Sequence, residues 1–351
     1  MKAKPGKASV NLLTVAREAG VSRATASLVL RQSPLVATAT RDRVQDAMKR
    51  LGYIYNRGAA NLRHNRTGTV GLVLPNMDNP FFGALTAGVE EANDLLGTVC
   101  FIANSGESAD RQARQIQRLR EHNVDGIILC PAIGSGPDLV GELSRLRLPF
   151  VQVLRRIPVG DAGGMTGDYV AVDYGRGVAQ AMERLVESGR RRIAYVGNMT
   201  AHSAGRARLE AYLAFARRFG IGERYVVSGK PDNRYDEAAM DRLLDSPDAP
   251  DAAICFNDVI ALDLSHHLRR LGRRVGEAFA VIGMDDLPQA AAAFPPLATI
   301  ATRPREVGLA AARRLHARIE RPDLPFEEDV IPPRLILRAS FGASAAEPQG
   351  G

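Results

Sequence analysis

Cysteine is scarce in this sequence. The 351 residues include only three cysteines, which lie far apart and form no CxxC pair: Cys100, Cys130 and Cys255. An odd number of separated cysteines argues against a disulfide framework and against a thiolate zinc site. The pattern fits a reducing compartment, and we expect a cytoplasmic protein.

Long apolar runs are also missing. No stretch is long enough to cross a bilayer, so we expect no membrane partner. The N-terminus is basic, but no apolar segment follows it, which argues against a secretory signal peptide. A hydrophobic content of 45% and a charged content of 24% are ordinary for a globular protein, and the length allows two or three domains.

Catalytic motifs are absent as well. We find no HExxH, no GxSxG and no GxxxxGK followed by Ser or Thr. None of the six histidines falls in a metal-ligand spacing, and a glycine cluster at 160–167 indicates a loop and not a dinucleotide fingerprint. Asp285 and Asp286 could do acid–base chemistry, but this would not explain the basic N-terminus. We therefore expect a protein that is not an enzyme and needs no cofactor or metal.

Positive charge is concentrated at one end of the chain. Residues 1–66 hold thirteen Lys/Arg and three Asp/Glu, a net charge of +10, whereas the whole chain has a net charge of +7. Residues 67–351 therefore carry a net charge of −3. Segregation of this kind indicates a small polyanion-binding module at the N-terminus.

The basic segment predicts three short helices. Asn11 is a good N-cap for the first helix, and Gly20 ends it. Ser22 is the next N-cap, for a second helix over Arg23–Leu30, and a third covers residues 42–51. A helix, a glycine turn and a capped second helix form the helix-turn-helix pattern. The alternative is a small helical bundle whose charges are merely solvated.

From Thr69 onward, short apolar strands alternate with helical patterns. This alternation predicts an α/β fold of doubly wound parallel sheets, and the number of strands predicts two lobes. Ligands in such sheets bind beyond the carboxyl ends of the strands. The predicted strands cover residues 70–74, 99–103, 126–130, 150–154, 169–172, 193–196, 225–228, 252–255 and 280–282.

Several motifs taken together resemble the lactose repressor (LacI/GalR) family of transcriptional regulators, and the similarity persists across nearly the whole chain. The motifs are VNLLTVAREAGVSRATAS at 10–27, TRDRV at 40–44, LGYIYNR at 51–57, RTGTVGLV at 66–73 and NPFF at 79–82.

The resemblance implies a domain plan. We expect a helix-turn-helix DNA-binding head, a hinge helix, a two-lobed core similar to periplasmic binding proteins, and a flexible tail, over residues 1–55, 56–66, 67–340 and 341–351. Lobe 1 is expected at about 67–157 and 296–329, and lobe 2 at about 168–294 and 333–340. The three crossings between lobes would then follow Leu154, follow Phe294 and fall near 329–333.

The resemblance also implies DNA contacts. The second helix enters the major groove, where Arg23 can contact guanine and Ala24 can contact a thymine methyl, with Thr25 and Ser27 beside them. Contacts near the phosphate backbone are implied for Asn11, Ser22, Arg31 and Thr40. Leu28 stands where the family usually has arginine, so operator sequences of relatives should not be copied.

The hinge is expected to fold on DNA and to enter the minor groove as a pair from a dimer. Its implied contacts are Asn56, Arg57, Ala59 and Leu62, of which Leu62 wedges between base pairs. From the residues alone, a plain linker is the alternative, because the segment is too short for a stable isolated helix.

Residues that follow strands in the core are candidate effector contacts. They are Phe81, Asn104, Asn257, Asp258 and Asp285, although Asn257, Asp258 and Asp285 could instead cap helices or support loops. Arg208 is a further candidate, because the segment 206–212 resembles the family's effector-binding helix. Leu154 occupies a position that is often aspartate in sugar-responsive relatives, which weakens the case for a sugar.

Three classes of function remain open. The first is a transcriptional repressor that acts as a homodimer on a pseudo-palindromic DNA operator and responds to a small-molecule effector, such as a sugar or another polar metabolite. The second is a small-molecule binding protein for transport. The third is an architectural DNA-binding protein without a ligand. The first explains both the basic head and the cleft.

Overall fold

The protein is described from a computed structural model that covers residues 10–30, 33–54, 66–157, 166–198, 200–222, 225–230 and 234–342. It divides into two compact units, residues 1–67 and residues 68–351. No helix among the described residues is long and apolar enough to span a membrane.

The first unit contains three helices, α1 (Leu12–Glu18), α2 (Arg23–Leu30) and α3 (Thr38–Leu51). Asn11 caps α1 by accepting a hydrogen bond from the Thr14 amide at 3.1 Å. Ser22 accepts from the Thr25 amide at 3.0 Å at the start of α2. Both predicted caps are therefore present, and Gly20 adopts the left-handed conformation (φ 63°) that the tight turn requires.

A small apolar core holds the three helices together. Its fully buried members include Val15, Ala26 and Val44, one from each helix. The third helix begins four residues earlier than the sequence predicted, at Thr38, so Thr40 lies in its first turn. The predicted hinge residues Asn56, Arg57, Ala59 and Leu62, as well as Arg31, lie outside the described residues.

The second unit contains two six-stranded sheets. The first sheet is built from β1 (Thr69–Leu74), β2 (Val99–Asn104), β3 (Gly126–Leu129), β4 (Phe150–Val153), β5 (Asp168–Val172) and β11 (Glu328–Ile331). The helices that accompany it are α4 (Pro80–Leu96), α5 (Ala109–Glu121), α6 (Pro137–Arg145) and α12 (Pro304–Glu320). Its strand order is β11-β5-β4-β3-β1-β2, and every pairing is parallel.

The second sheet repeats the same plan. It is built from β6 (Ile193–Asn198), β7 (Val226–Ser228), β8 (Ala252–Cys255), β9 (Ala280–Met284), β10 (Ala298–Ala301) and β12 (Arg334–Ile336). The remaining helices are α7 (Tyr174–Glu187), α8 (Ser203–Arg218), α9 (Glu237–Leu244), α10 (Asp258–Arg270) and α11 (Pro288–Ala292). The order is β12-β10-β9-β8-β6-β7, with β12 antiparallel to β10.

All nine predicted strands are present. The prediction missed β10, β11 and β12, of which the last two are edge strands with partly exposed residues and so lack a continuous apolar run.

Two of the three predicted crossings are wrong. Residues 168–172 were assigned to lobe 2, but β5 pairs in parallel with β4 and with β11, so the chain leaves the first sheet after Val172 and not after Leu154. Residues 296–301 were assigned to lobe 1, but β10 pairs with β9 and belongs to the second sheet. The third crossing, between Ile331 and Arg334, agrees with the prediction. Strand pairing joins distant residues, so the boundaries could not be read from local sequence.

The predicted tail also begins too early. Phe341 is only 3% exposed and belongs to the apolar core, and the Ser340 amide donates to the Pro296 carbonyl at 2.9 Å. The structured core therefore extends to at least residue 341. Burial of the Phe341 ring stabilises this end of the chain.

Candidate functional site

A polar cleft lies where the carboxyl ends of strands from both sheets meet. In each sheet the strand order reverses beside the first strand of that sheet, β1 or β6, and such switch points are where α/β sheets bind ligands. The space inside the cleft is about 550 Å³ when the solvent at its open mouth is included. The lining residues are Asn76, Asn79, Phe81, Phe82, Glu107, Leu154, Arg155, Tyr174, His202, Ala204, Arg208, Phe256, Asn257 and Asp285.

Arg208, on α8, is a buried cation that contacts mainly a thioether and two aromatic rings. Its Nε donates to Met284 Sδ at 3.0 Å, and its Nη1 donates to the Ala204 carbonyl at 2.9 Å. Its guanidinium carbon lies 3.6 Å from the centre of the Tyr174 ring and 4.5 Å from that of Phe256. These contacts leave guanidinium donors available at the cleft.

His202 precedes α8 and is 7% exposed. Its Nδ1 accepts a hydrogen bond from the Gly205 amide at 3.0 Å, which caps the helix. Burial, followed by the charges of Arg155 and Arg208, lowers the pKa of His202 to about 2. The ring is therefore neutral, and because Nδ1 accepts, the proton is assigned to Nε2. This Nε2 has no hydrogen-bond partner among the residues that the structure describes. Sequence reasoning assigned His202 no role, because none of the six histidines falls in a metal-ligand spacing.

Asp285 follows β9 and is 5% exposed. Its Oδ1 accepts a hydrogen bond from Thr302 Oγ1 at 3.2 Å. Burial raises the pKa of Asp285 well above its usual range, and the nearby Asp258 adds to the effect while Arg208 opposes it. The backbone of Asp285 has φ 119°, a conformation that a residue with a side chain rarely adopts and that is typical of ligand sites.

Asp258 is not in the cleft, contrary to the sequence prediction. It is fully buried, its Oδ1 accepts from Thr299 Oγ1 at 2.6 Å, and its Oδ2 accepts from the Leu287 amide at 2.7 Å. A side chain at Gly283 would clash with it, since an added Cβ would lie 2.1 Å from Asp258 Oδ1. Desolvation raises the pKa of Asp258 to about 6. Its two acceptors are occupied, so it supports the loop after β9.

Asn104 also lies outside the cleft lining. It is exposed, and its Oδ1 accepts from the Gly106 amide at 3.0 Å. It ends β2, the outermost strand of the first sheet, so its side chain falls short of the switch point. Glu107, three residues later, does line the cleft.

Phe81 and Asn257, the other two candidates, do line the cleft. Phe81 packs edge-on against Phe82, with ring centres 5.3 Å apart. Asn257 caps α10 by accepting from the Ile260 amide at 2.9 Å, so its capping role and its place at the cleft coexist. Together with Arg208 and Asp285, four of the six candidates meet at one site.

An ion pair in the cleft was not anticipated. Arg155 and Glu107 form two hydrogen bonds, of 2.7 and 2.8 Å, between guanidinium and carboxylate. Arg155 also donates to the Pro131 carbonyl at 3.1 Å. The pair neutralises both charges and is fixed in place. No sequence signal could have found it, because 48 residues separate its partners.

In the first unit, the predicted base-reading residues lie at the start of α2. Arg23 and Ala24 are exposed, whereas Thr25 and Ser27 are partly buried. Asn11 and Ser22 are exposed caps, and Thr40 is partly buried. The start of α2 therefore presents the side chains that the sequence assigned to DNA. Within the described ranges, no group of three or more metal-ligating side chains occurs.

Two segments of the chain match known protein families. Residues 11–56 match the bacterial regulatory proteins of the lacI family, and residues 182–341 match the periplasmic binding protein-like domain. The HTH-type transcriptional regulator CelR of Thermobifida fusca is 34% identical over 330 residues, which cover 92% of this chain and 94% of CelR.

Solved structures give the same result. A complex of the transcriptional regulator CelR with cellobiose has a TM-score of 0.69 and 32% identity, covering 94% of this chain and 99% of that one. The lac repressor dimer bound to operator and the anti-inducer ONPF has a TM-score of 0.82 at 23% identity, covering 95% and 99%, and supports the fold. The chain therefore belongs to the LacI/GalR family of DNA-binding transcriptional regulators.

Proposed function

We propose that this protein is a transcriptional repressor whose affinity for a DNA operator is changed by a small molecule bound in the cleft. The observation that carries the proposal is the pairing, in one chain, of a basic helix-turn-helix unit with a two-lobed core that has a polar cleft at its switch points. A transport protein does not need a helix-turn-helix unit, and an architectural DNA-binding protein does not need a ligand cleft.

The DNA contacts follow from the exposed start of α2. Arg23 can donate two hydrogen bonds to guanine, and Ala24 offers only an apolar surface. Asn11, Ser22 and Thr40 are proposed to contact phosphates together with Arg31, and the hinge residues Asn56, Arg57, Ala59 and Leu62 to contact the minor groove. One head reads a short half-site, so a dimer on a pseudo-palindrome is expected.

An apolar edge of the core supports the homodimer. Leu95 and Leu96 end α4, and Val99, Phe101 and Ile102 lie on the edge strand β2; all five are between 39% and 79% exposed. Contiguous exposed apolar side chains on an edge strand favour association with a partner. We propose that a second copy of the chain covers them.

The effector contacts proposed are those that line the cleft. Phe81 and Phe256 supply apolar walls, whereas Arg208, Asn257 and Asp285 supply polar groups. A few convergent polar groups among aromatic walls are typical of small-molecule sites. Asn104 and Asp258 do not line the cleft and are not part of the proposed effector site.

We infer that the protein works in the cytoplasm, where the operator is found, and that it has no catalytic activity. The cleft pairs no nucleophile with a base among the residues described, since His202 uses Nδ1 as a helix cap. The fixed Arg155–Glu107 pair leaves neither group available as an acid or base.

Genome-wide mapping of DNA bound by the full chain tests the proposal. We expect a small set of sites that share one pseudo-palindrome, and fluorescence anisotropy on those sites should change when low-molecular-weight cell extract is added. Binding spread evenly over the genome, or an affinity that no extract fraction changes, would favour the architectural alternative.

A further inference from the structure

One buried hydrogen-bond donor at the cleft has no partner among the residues described. His202 Nε2 carries a proton and is buried without a partner. Leaving a buried donor without a partner is unfavourable, so such a group in a cleft is expected to bind an acceptor from a ligand. Its ring lies against Phe256, with ring centres 5.9 Å apart.

Arg208 approaches the same aromatic ring. Its guanidinium carbon is 4.5 Å from the centre of Phe256, and the contacts of the guanidinium are a thioether, a carbonyl, two aromatic faces and a side-chain hydrogen bond with Tyr174. None of them neutralises its charge. His202 and Arg208 therefore converge, beside one ring, with donors directed at the cleft.

The other charged groups of the cleft do not balance this cation. Arg155 and Glu107 neutralise each other. Asp285 is buried, and burial raises the pKa of its carboxyl. Desolvation therefore disfavours the charged form of Asp285, and the contacts of Arg208 named above include no carboxylate.

The backbone adds to the positive potential. Ala204, in the first turn of α8, lines the cleft, and α8 is a sixteen-residue helix whose N-terminal end carries partial positive charge. Leu154 and Phe81 also line the cleft, and both side chains are apolar. Neither can accept a hydrogen bond from a ligand hydroxyl group, as a carboxylate would. The limited volume of the cleft favours a small ligand.

We propose that the effector is an anion, a small hydroxylated carboxylic acid whose carboxylate binds between the guanidinium of Arg208 and Nε2 of His202. This inference rests on the proposed function, because it specifies the ligand of the same cleft. The amides of Asn76 and Asn79 would contact the hydroxyl groups, and the rings of Tyr174 and Phe256 would cover the carbon chain.

Matched pairs of neutral and acidic probes test the charge of the ligand. The melting temperature of the full chain is measured with each neutral sugar and with its acids: glucose is compared with gluconate and glucuronate, and galactose with galactonate and galacturonate. Lactate and acetate are compared with chloride at equal ionic strength. We expect one or more of the carboxylates to raise the melting temperature, the neutral sugars to leave it unchanged, and calorimetry to confirm the binding.

Two variants and a control locate the carboxylate. Arg208→Gln removes the charge, and His202→Asn keeps a side chain that can cap α8 but withdraws the donor from the cleft. Each should weaken binding of the acid by about tenfold or more, the loss of one charge-assisted hydrogen bond. Arg206→Gln removes an equal charge from the same helix outside the cleft lining, and should retain the affinity.

Two results would overturn the inference. One is a neutral sugar that binds as tightly as its acid, and the other is a panel in which no carboxylate binds. Equal affinity of the Arg208→Gln and Arg206→Gln proteins for the acid would also overturn it. The proposed function is judged separately, by operator mapping and by the response to cell extract, so these failures leave it standing.

Discussion

The guanidinium of Arg208 lies 3.6 Å from the ring centre of Tyr174, although the two residues are on different helices and 34 positions apart. Tyr174 is the first residue of α7, directly after the chain crosses from the first sheet to the second. Cation–π contact with a desolvated aromatic ring is worth about 2 kcal/mol. Tyr174 thus orients the arginine through its ring and a side-chain hydrogen bond, and the five N–H donors of the guanidinium are not all used by these contacts.

Arg208→Ala is expected to abolish the effector response while DNA binding by the free protein stays close to normal. The variant removes the fixed cation of the cleft and leaves the helix-turn-helix unit unchanged. Anisotropy with operator DNA, with and without active extract, provides the measurement. Arg206→Ala is the matched control and should respond normally. Undiminished response in Arg208→Ala would show that the effector site lies elsewhere.

Asp258→Asn should change how stability depends on pH. The pKa of Asp258 is about 6 in the folded protein against an ordinary 3.8, so the folded state favours the protonated form. This contribution is fully present below about pH 4 and is lost as the pH rises to about 6. The loss is on the order of 3 kcal/mol in the free energy of unfolding.

Denaturant unfolding followed by circular dichroism between these pH values tests the point. The amide introduced by Asp258→Asn cannot ionise, so the variant should show a flatter pH profile, with the remaining slope due to Asp285 and other groups. Identical slopes in both proteins would contradict the linkage argument.

Leu95→Asp should weaken the dimer and, with it, operator affinity. A carboxylate on the proposed apolar interface would be desolvated without a partner when the second copy binds. Light scattering after size exclusion measures the mass. Leu324→Asp is the control, because Leu324 is a 39% exposed leucine that precedes β11, the opposite edge strand of the first sheet. If both variants stay dimeric, the interface has been assigned to the wrong surface.

Arg23→Ala should relax operator specificity by about 1–3 kcal/mol at one base pair of each half-site. Arg31→Ala is expected to weaken binding to all sequences and to reduce the salt dependence, because a phosphate contact releases counterions regardless of sequence. Binding to a panel of single-base operator variants at several salt concentrations separates the two. Matching profiles would refute this division of roles.

Leu62→Ala should reduce DNA bending and operator affinity while the fold and the dimer remain intact. The residue is an apolar side chain in a basic polar segment, and burial between base pairs would account for it. Circular-permutation gel assays measure the bend. An unchanged bend angle would remove the wedge role of Leu62.

Local chemistry made the helix-turn-helix unit predictable. Asn11 and Ser22 cap the helices because their short polar side chains accept hydrogen bonds from amides three residues later. Gly20 adopts the left-handed conformation of the turn because it lacks a Cβ. The start of α3 was missed by four residues, since no side chain caps it and the sequence gives no signal there.

The cleft was predictable only in part. The carboxyl ends of parallel strands can be located in the sequence, which was enough to select Phe81, Asn257 and Asp285, whereas Arg208 was selected from the resemblance of its helix to the family's effector-binding helix. The same rule selected Asp258 wrongly, because a carboxylate that follows a strand can turn inward as well as toward the cleft. Here the backbone at Gly283 leaves room for it to turn inward.

The sequence by itself determined the charge segregation, the helix-turn-helix pattern, the α/β class of the core and most of its strands, because each rests on residues close together in the chain. Tertiary structure alone decided where the chain crosses between lobes, that Glu107 neutralises Arg155, and that Nε2 of His202 has no partner. These features depend on contacts between residues far apart in sequence, and local patterns carry no information about which distant groups will meet.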